Sequence, residues 1–144
     1  MNHRVLAAVA ASLLFAGCGG GYGGGTVPTP KNTQAPSSTP ASTATILGSP
    51  GFTSPNGFTL YVFGADGMNV SNCNNGCASI WPPFMAAAGA QASGSFTVIA
   101  RADGSHQWAY KSHPLYNFSG DGKPGDAAGD GLNLNGGIWH VARP

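Results

Sequence analysis

Leu60-Tyr61-Val62-Phe63-Gly64-Ala65-Asp66-Gly67 returns later in the chain as Leu115-Tyr116-Asn117-Phe118-Ser119-Gly120-Asp121-Gly122, with five of the eight positions identical. On a β-strand successive side chains point to opposite faces, so Tyr61 and Phe63 share one face, as do Tyr116 and Phe118. The other face carries Leu60 and Val62 in one copy but Leu115 and Asn117 in the other. The Tyr/Phe face is the one both copies keep apolar, and it is expected to form the core. Asp66 and Asp121 fall in glycine-flanked turns, where a carboxylate accepts backbone N–H bonds and fixes the turn. A tryptophan follows each copy: Trp81 stands 20 residues after Tyr61, and Trp139 stands 23 after Tyr116.

Outward from the two copies, each is preceded by a β-like run, Thr45-Ile46-Leu47 in one and Phe96-Thr97-Val98-Ile99 in the other. Phe96 to Ala100, a turn at Ala102-Asp103-Gly104-Ser105, Gln107 to Tyr110, and Pro114 to Phe118 read as an antiparallel meander. Gly137 to Ala142 reads as a terminal strand with Trp139 and Val141 on one face. Only Cys77 to Trp81 has a helical pattern, and Pro82-Pro83 ends it, because proline lacks the N–H and clashes with the preceding turn. The expected architecture is a mostly β, small antiparallel domain over residues 45–144, built from two similar strand-turn repeats at about 45–85 and 96–142. That length suits one domain with one core.

Further out, residues 1–17 start with His3 and Arg4, run apolar from Val5 to Ala16 with only Ser12 interrupting, and close on Ala16 and Gly17. This is a signal-peptide layout, and the run is short of the roughly 20 residues a membrane-crossing helix needs. Leu14-Phe15-Ala16-Gly17-Cys18 resembles the bacterial lipobox, with Phe15 where leucine is usual. The resemblance implies diacylglycerol on the Cys18 sulfur and cleavage before it. Buried lipid methylenes contribute ~0.8 kcal/mol each, enough for several chains to hold a protein at a membrane without a spanning helix. Gly19 rather than Asp after the cysteine resembles the sorting pattern that, in a two-membrane cell, implies the outer membrane. Residues 18–44, with GGGYGGG and then Pro, Thr, Ser and Ala, read as a disordered tether. GGGYGGG follows no strand and opens no helix, so it is not a phosphate loop.

Loss of the signal removes Arg4 and leaves Lys31, Arg101, Lys111, Lys123 and Arg143 against five aspartates and no glutamate. Such a neutral chain lacks the Lys/Arg cluster that displaces counterions from phosphates, which excludes nucleic acid as a partner. The 23 glycines and 11 prolines, with few charges, suit a turn-rich β protein outside the cytoplasm.

Tyr61-x4-Asp66 and Tyr116-x4-Asp121, together with Cys73-x3-Cys77 before Trp81-Pro82-Pro83 and Gly137-Ile138-Trp139-His140-Val141 at the end, resemble the secreted-repeat lipoproteins described by a Y-x-(F/W/Y)-x-x-D motif. The resemblance covers almost the whole domain. It implies export, a two-repeat domain and a role at the cell envelope; it carries no catalytic residues, because that family has no settled activity.

Candidate chemistry is sparse. Export puts Cys73 and Cys77 in an oxidising compartment, where a disulfide would staple the Asn74-Asn75-Gly76 loop. The alternative is a redox or metal-binding thiol pair, although the spacing is one residue too long for C-x-x-C. His106, His113 and His140 with Met68 and Met85 have the ligand types of a copper site, without a recognisable spacing. Asp121, Asp126 and Asp130 lie on one glycine-rich segment that lacks the EF-hand pattern and has Lys123 within it, so a solvated turn cluster is the better reading. No G-x-S-x-G elbow, H-E-x-x-H or pair of unlike carboxylates stands out. The sequence therefore points to a lipid-anchored envelope protein, non-enzymatic and without a cofactor, whose protein or small-molecule partner it does not name. A metal-binding or redox module is the alternative.

Overall fold

A computed structural model describes residues 34–144, so the expected signal peptide, Cys18 and most of the tether lie outside the described residues. The chain forms β1 (Ser42–Ile46), β2 (Ser49–Thr53), β3 (Tyr61–Phe63), α1 (Gly76–Ile80), β4 (Phe96–Ala100), β5 (His106–Tyr110), β6 (His113–Pro114), β7 (Asn133–Leu134) and β8 (Gly137–Val141). All pairings between these strands are antiparallel. Three hairpins turn on two residues of positive φ, at Leu47-Gly48, Lys111-Ser112 and Asn135-Gly136. That backbone twist matches the right-handed twist of the strands it joins. Among the described residues no helix is long and apolar enough to cross a membrane.

The ordered chain starts earlier than residue 45. β1 begins at Ser42, and buried Ser37 donates its N–H to the Met85 carbonyl at 2.9 Å and receives the Trp108 indole N–H at 3.1 Å. The tether composition hid this, because small polar residues satisfy a sheet edge as readily as they satisfy a loop. β2 was also not expected: Pro50 and Gly51 are poor strand residues, yet Pro50 is tolerated in the two-stranded β1-β2 sheet, where an edge strand can do without one N–H. The helix is displaced by one residue from the expected Cys77–Trp81. The expected strand Pro114–Phe118 is regular only at His113–Pro114, and its motif continues as two isolated bridges at Tyr116, to Tyr61 and to Pro83.

The two repeats are interlocked rather than side by side. Tyr61 and Tyr116 exchange backbone hydrogen bonds, N–H to carbonyl, at 2.8 and 3.0 Å. β3 of the first repeat pairs with β8 at the end of the second, Phe63 opposite Trp139. Conversely, Tyr116 of the second repeat bridges Pro83 at the end of the first, with Asn117 N–H to Pro82 O at 2.8 Å and Ser119 N–H to Ile80 O at 2.9 Å. The same closed triangle of backbone bonds occurs twice. Leu60 N–H to Phe52, Phe52 N–H to Ala142 and Ala142 N–H to Leu60 form one; Leu115 N–H to Trp108, Trp108 N–H to Phe84 and Phe84 N–H to Leu115 form the other. The end of each repeat bonds onto the other.

Both faces of the motif strands are buried. The Tyr/Phe face belongs to a core of Ile46, Tyr61, Phe63, Cys73, Trp81, Tyr116, Trp139 and Val141, as expected. The leucine face, for which no core role was expected, enters a second core with Phe52, Phe84 and Trp108; Leu60 and Leu115 are fully buried there. The two hairpins pack over that face, a tertiary event that strand alternation does not announce.

Candidate functional site

At the centre of the first core four rings form a column: Phe63 on Trp139 (4.2 Å between centroids), Trp139 on Trp81 (3.8 Å) and Trp81 on Phe118 (4.3 Å). The tyrosines close it edge-on, Tyr61 against Trp81 at 5.4 Å and Tyr116 against Trp139 at 5.1 Å. Both tryptophans are fully buried. Large aromatic groups of this kind dominate core energetics through area and ring geometry.

The motif tyrosines and aspartates meet across the repeats. Tyr61 donates its O–H to Asp121 Oδ2 at 2.8 Å, and Tyr116 donates its O–H to Asp66 Oδ2 at 2.7 Å. The other carboxylate oxygens do what the turns predicted: Asp66 Oδ1 accepts the Asn72 N–H at 2.7 Å, and Asp121 Oδ1 accepts the Ala128 N–H at 3.0 Å. The result is a reciprocal clasp, each repeat's tyrosine held by the other's aspartate. Sequence reasoning missed it, since nothing within one copy tells which copy's aspartate its tyrosine will find. Burial raises both carboxyl groups above the usual aspartate range, opposed by the hydrogen bonds they accept. Burial and the neighbouring carboxylate push both phenols far up, so they stay protonated and remain donors.

One half of the clasp leads into a buried cation that the sequence did not single out. Arg101 is 6% exposed and bonds Ser71 Oγ (2.7 Å), Gln107 Oε1 (2.6 Å), the Cys73 carbonyl (2.8 Å) and Asn74 Oδ1 (3.2 Å). Ser71 Oγ lies 2.8 Å from Tyr116 Oη. With the phenol proton on Asp66, a hydroxyl chain runs from guanidinium through Ser71 and Tyr116 to the carboxylate. Arg101 makes no ion pair with a carboxylate among the described residues. The chain of hydroxyls separates buried Arg101 from half-buried Asp66 and gives each a hydrogen-bonding partner.

Cys73 and Cys77 are joined as a disulfide. The bridge staples the loop whose Cys73 carbonyl and Asn74 amide hold Arg101. The weak metal candidates are not brought together: His106 opens β5, His113 sits on β6 and His140 on β8, all exposed, while Met68 is 80% exposed. His140 Nδ1 lies 3.7 Å from Asp130. Asp126 accepts the N–H groups of Gly122 and Lys123 and Asp130 accepts that of Val141, so with Asp121 all three aspartates of that segment fix backbone; Asp121, however, is buried by the packing of the second repeat and is not part of the solvated turn cluster expected.

No curated protein and no solved structure matches the chain. A family model described as a secreted repeat of unknown function matches it twice, at residues 50–85 and 97–143. The two matched spans are the two halves of the clasp, each carrying one Tyr-x4-Asp motif and one stacked tryptophan. The chain therefore belongs to the family of secreted repeats of unknown function.

Proposed function

We propose that this protein is a lipid-anchored module of the cell envelope, held by Cys18 and acting by binding or scaffolding rather than by catalysis. The observation that carries the reading is the reciprocal clasp. The residues with most chemical capacity in the repeated motif, Tyr61, Asp66, Tyr116 and Asp121, are spent on one another inside the fold. A catalytic carboxylate or phenol must reach a substrate atom at hydrogen-bond distance. Asp121, at 1% exposed, and the two fully buried tyrosines have no such access. Membership of a secreted family supports an envelope or extracellular location, and the lipobox-like Leu14 to Cys18 supports the anchor.

Metabolic labelling with a clickable fatty acid tests the anchor: the protein is expected to take up label and to fractionate with membranes, and Cys18→Ser is expected to lose both. An unlabelled native protein, or a labelled Cys18→Ser variant, would remove the anchor from the proposal. For the second half, the purified protein is expected to leave ester, peptide and glycan substrates unchanged. Turnover that Asp66→Asn or Asp121→Asn abolished without unfolding the protein would replace a scaffold by an enzyme.

A further inference from the structure

The hairpins β1-β2 and β4-β5 are equivalent in register. Phe52 pairs with Thr43 and Trp108 with Val98, and three residues beyond each partner stand Ile46 and Arg101. Both are buried, at 1% and 6% exposed. An isoleucine thus fills this position in the first repeat, and the fold itself does not call for a charge there. Taking a cation out of water costs several kcal/mol unless a partner or ligand compensates it. The Arg101 Nε is buried and has no hydrogen-bond partner among the described residues.

Against Arg101 opens a depression of about 350 Å³ lined by Asn74, Asn75, Ala78, Arg101, Ala102 and Asp103. Its two walls mix the polar side chains of Asn74, Asn75, Arg101 and Asp103 with apolar surface, and both are held in place. The Cys73–Cys77 bridge holds one, with Asn75 at φ 51° at the loop tip. The turn after β4 holds the other, where Asp103 Oδ1 accepts the Ser105 N–H at 2.9 Å and the Ser105 hydroxyl. Those bonds hold Asp103 below the usual carboxylate range, so it is ionised at neutral pH. Of the four bonds made by the guanidinium, the 3.2 Å contact to Asn74 Oδ1 is the longest and lies in the depression, so it is the one a ligand oxygen can replace.

We propose that this depression binds a free α-amino acid as its zwitterion, the carboxylate taken by Arg101 with the side-chain amides of Asn74 and Asn75, and the ammonium by Asp103. A lone anion would meet Asp103 and a lone cation would meet Arg101; a ligand with both charges a few bonds apart complements both. The volume is at the small end of ligand pockets, which suits a molecule of that size. The proposal rests on reading the module as one that binds rather than transforms.

Calorimetry on the purified full mature protein, with alanine, acetate, methylammonium and glucose as probes, tests it. Alanine is expected to bind saturably, and acetate and methylammonium each about tenfold more weakly, the worth of one charged hydrogen-bonded group. Asp103→Asn keeps the acceptor for Ser105 and is expected to leave the unfolding midpoint unchanged while weakening alanine about tenfold and leaving acetate as tight or tighter. Asn75→Ala is expected to weaken both. Absence of saturable binding up to about 50 mM alanine, far above the weakest affinity of interest, would overturn the site. So would alanine binding unaffected by Asp103→Asn, acetate binding as tight as alanine, or binding of glucose alone. Mass spectrometry of the recovered ligand keeps the two readings apart, because an altered ligand overturns the non-enzymatic role and leaves the site standing.

Discussion

Removal of a single oxygen atom, in Tyr61→Phe, puts the clasp to its hardest test. Asp121 is 1% exposed, and its two oxygens have one donor each, Tyr61 O–H at 2.8 Å and Ala128 N–H at 3.0 Å. Without the phenol, Oδ2 is a charged acceptor facing no donor in a site closed to water. Hydrogen bonds to charged groups contribute about 1.5–3 kcal/mol, so the variant is expected to lose about 2 kcal/mol at neutral pH. In a domain of about 100 residues that lowers the unfolding midpoint by roughly 8–16 °C. Tyr116→Phe is expected to cost about half as much, roughly 1 kcal/mol. Asp66 is only half-buried, and the Arg101 charge reaches it from across Ser71. The assay is thermal unfolding of both variants and the parent at pH 7 and near pH 3. The Tyr61→Phe penalty should shrink at the lower pH, because a protonated Asp121 no longer leaves a bare charge. Equal losses in the two variants, or a Tyr61→Phe penalty as large at pH 3 as at pH 7, would refute the clasp as the source of the stability.

Trp81→Ala or Trp139→Ala opens the middle of the four-ring column and is expected to cost about 3–5 kcal/mol, enough to leave the chain largely unfolded by circular dichroism at 37 °C. The disulfide closes a short loop, so Cys73→Ala with Cys77→Ala is expected to cost about 2 kcal/mol in urea unfolding by the chain-entropy relation, with the fold retained. Arg101→Met strands the acceptors of Ser71, Gln107 and Cys73 and is expected to cost about 3 kcal/mol, measured the same way. Asp66 and Asp121 have folded pKa values raised above the unfolded 3.8, so the native state holds their protons more tightly. Their contribution is fully present below pH 3.8 and is lost as pH rises through the folded values. Acidification from pH 7 towards 4 should therefore raise the unfolding midpoint, and the rise should vanish in the Asp66→Asn, Asp121→Asn double variant.

The repeated octapeptide made much of this fold legible. Alternation put Tyr61, Phe63 and Tyr116 inward, glycines and prolines marked the turns, and the 96–110 hairpin and terminal strand fell where β-branched and aromatic residues cluster. Asp66 and Asp121 were legible as turn formers because an aspartate beside glycine finds backbone N–H groups within its own loop. β2 was not legible, because Pro50 and Gly51 are poor strand residues on their own and are carried by the partner strand. Arg101 was not legible either: one arginine at a strand end reads as solvated, and only the loop of residues 71–74 folding over it makes it a buried cation.

The sequence by itself determined the local facts: which residues alternate, where the chain turns, that two copies exist, that Cys73 and Cys77 are close enough to bridge, and that a lipobox-like cysteine at position 18 precedes them. Those depend on interactions over a few residues, which spacing encodes directly. Only the tertiary structure decided that Tyr61 belongs to Asp121 and Tyr116 to Asp66, that Trp81 lies on Trp139, and that the end of each repeat bonds onto the other, β8 onto β3 and Pro83 onto Tyr116. Two similar copies offer a within-repeat and a between-repeat partner of the same chemistry. The choice is made by which arrangement buries both aromatic sets at once, a property of the whole chain.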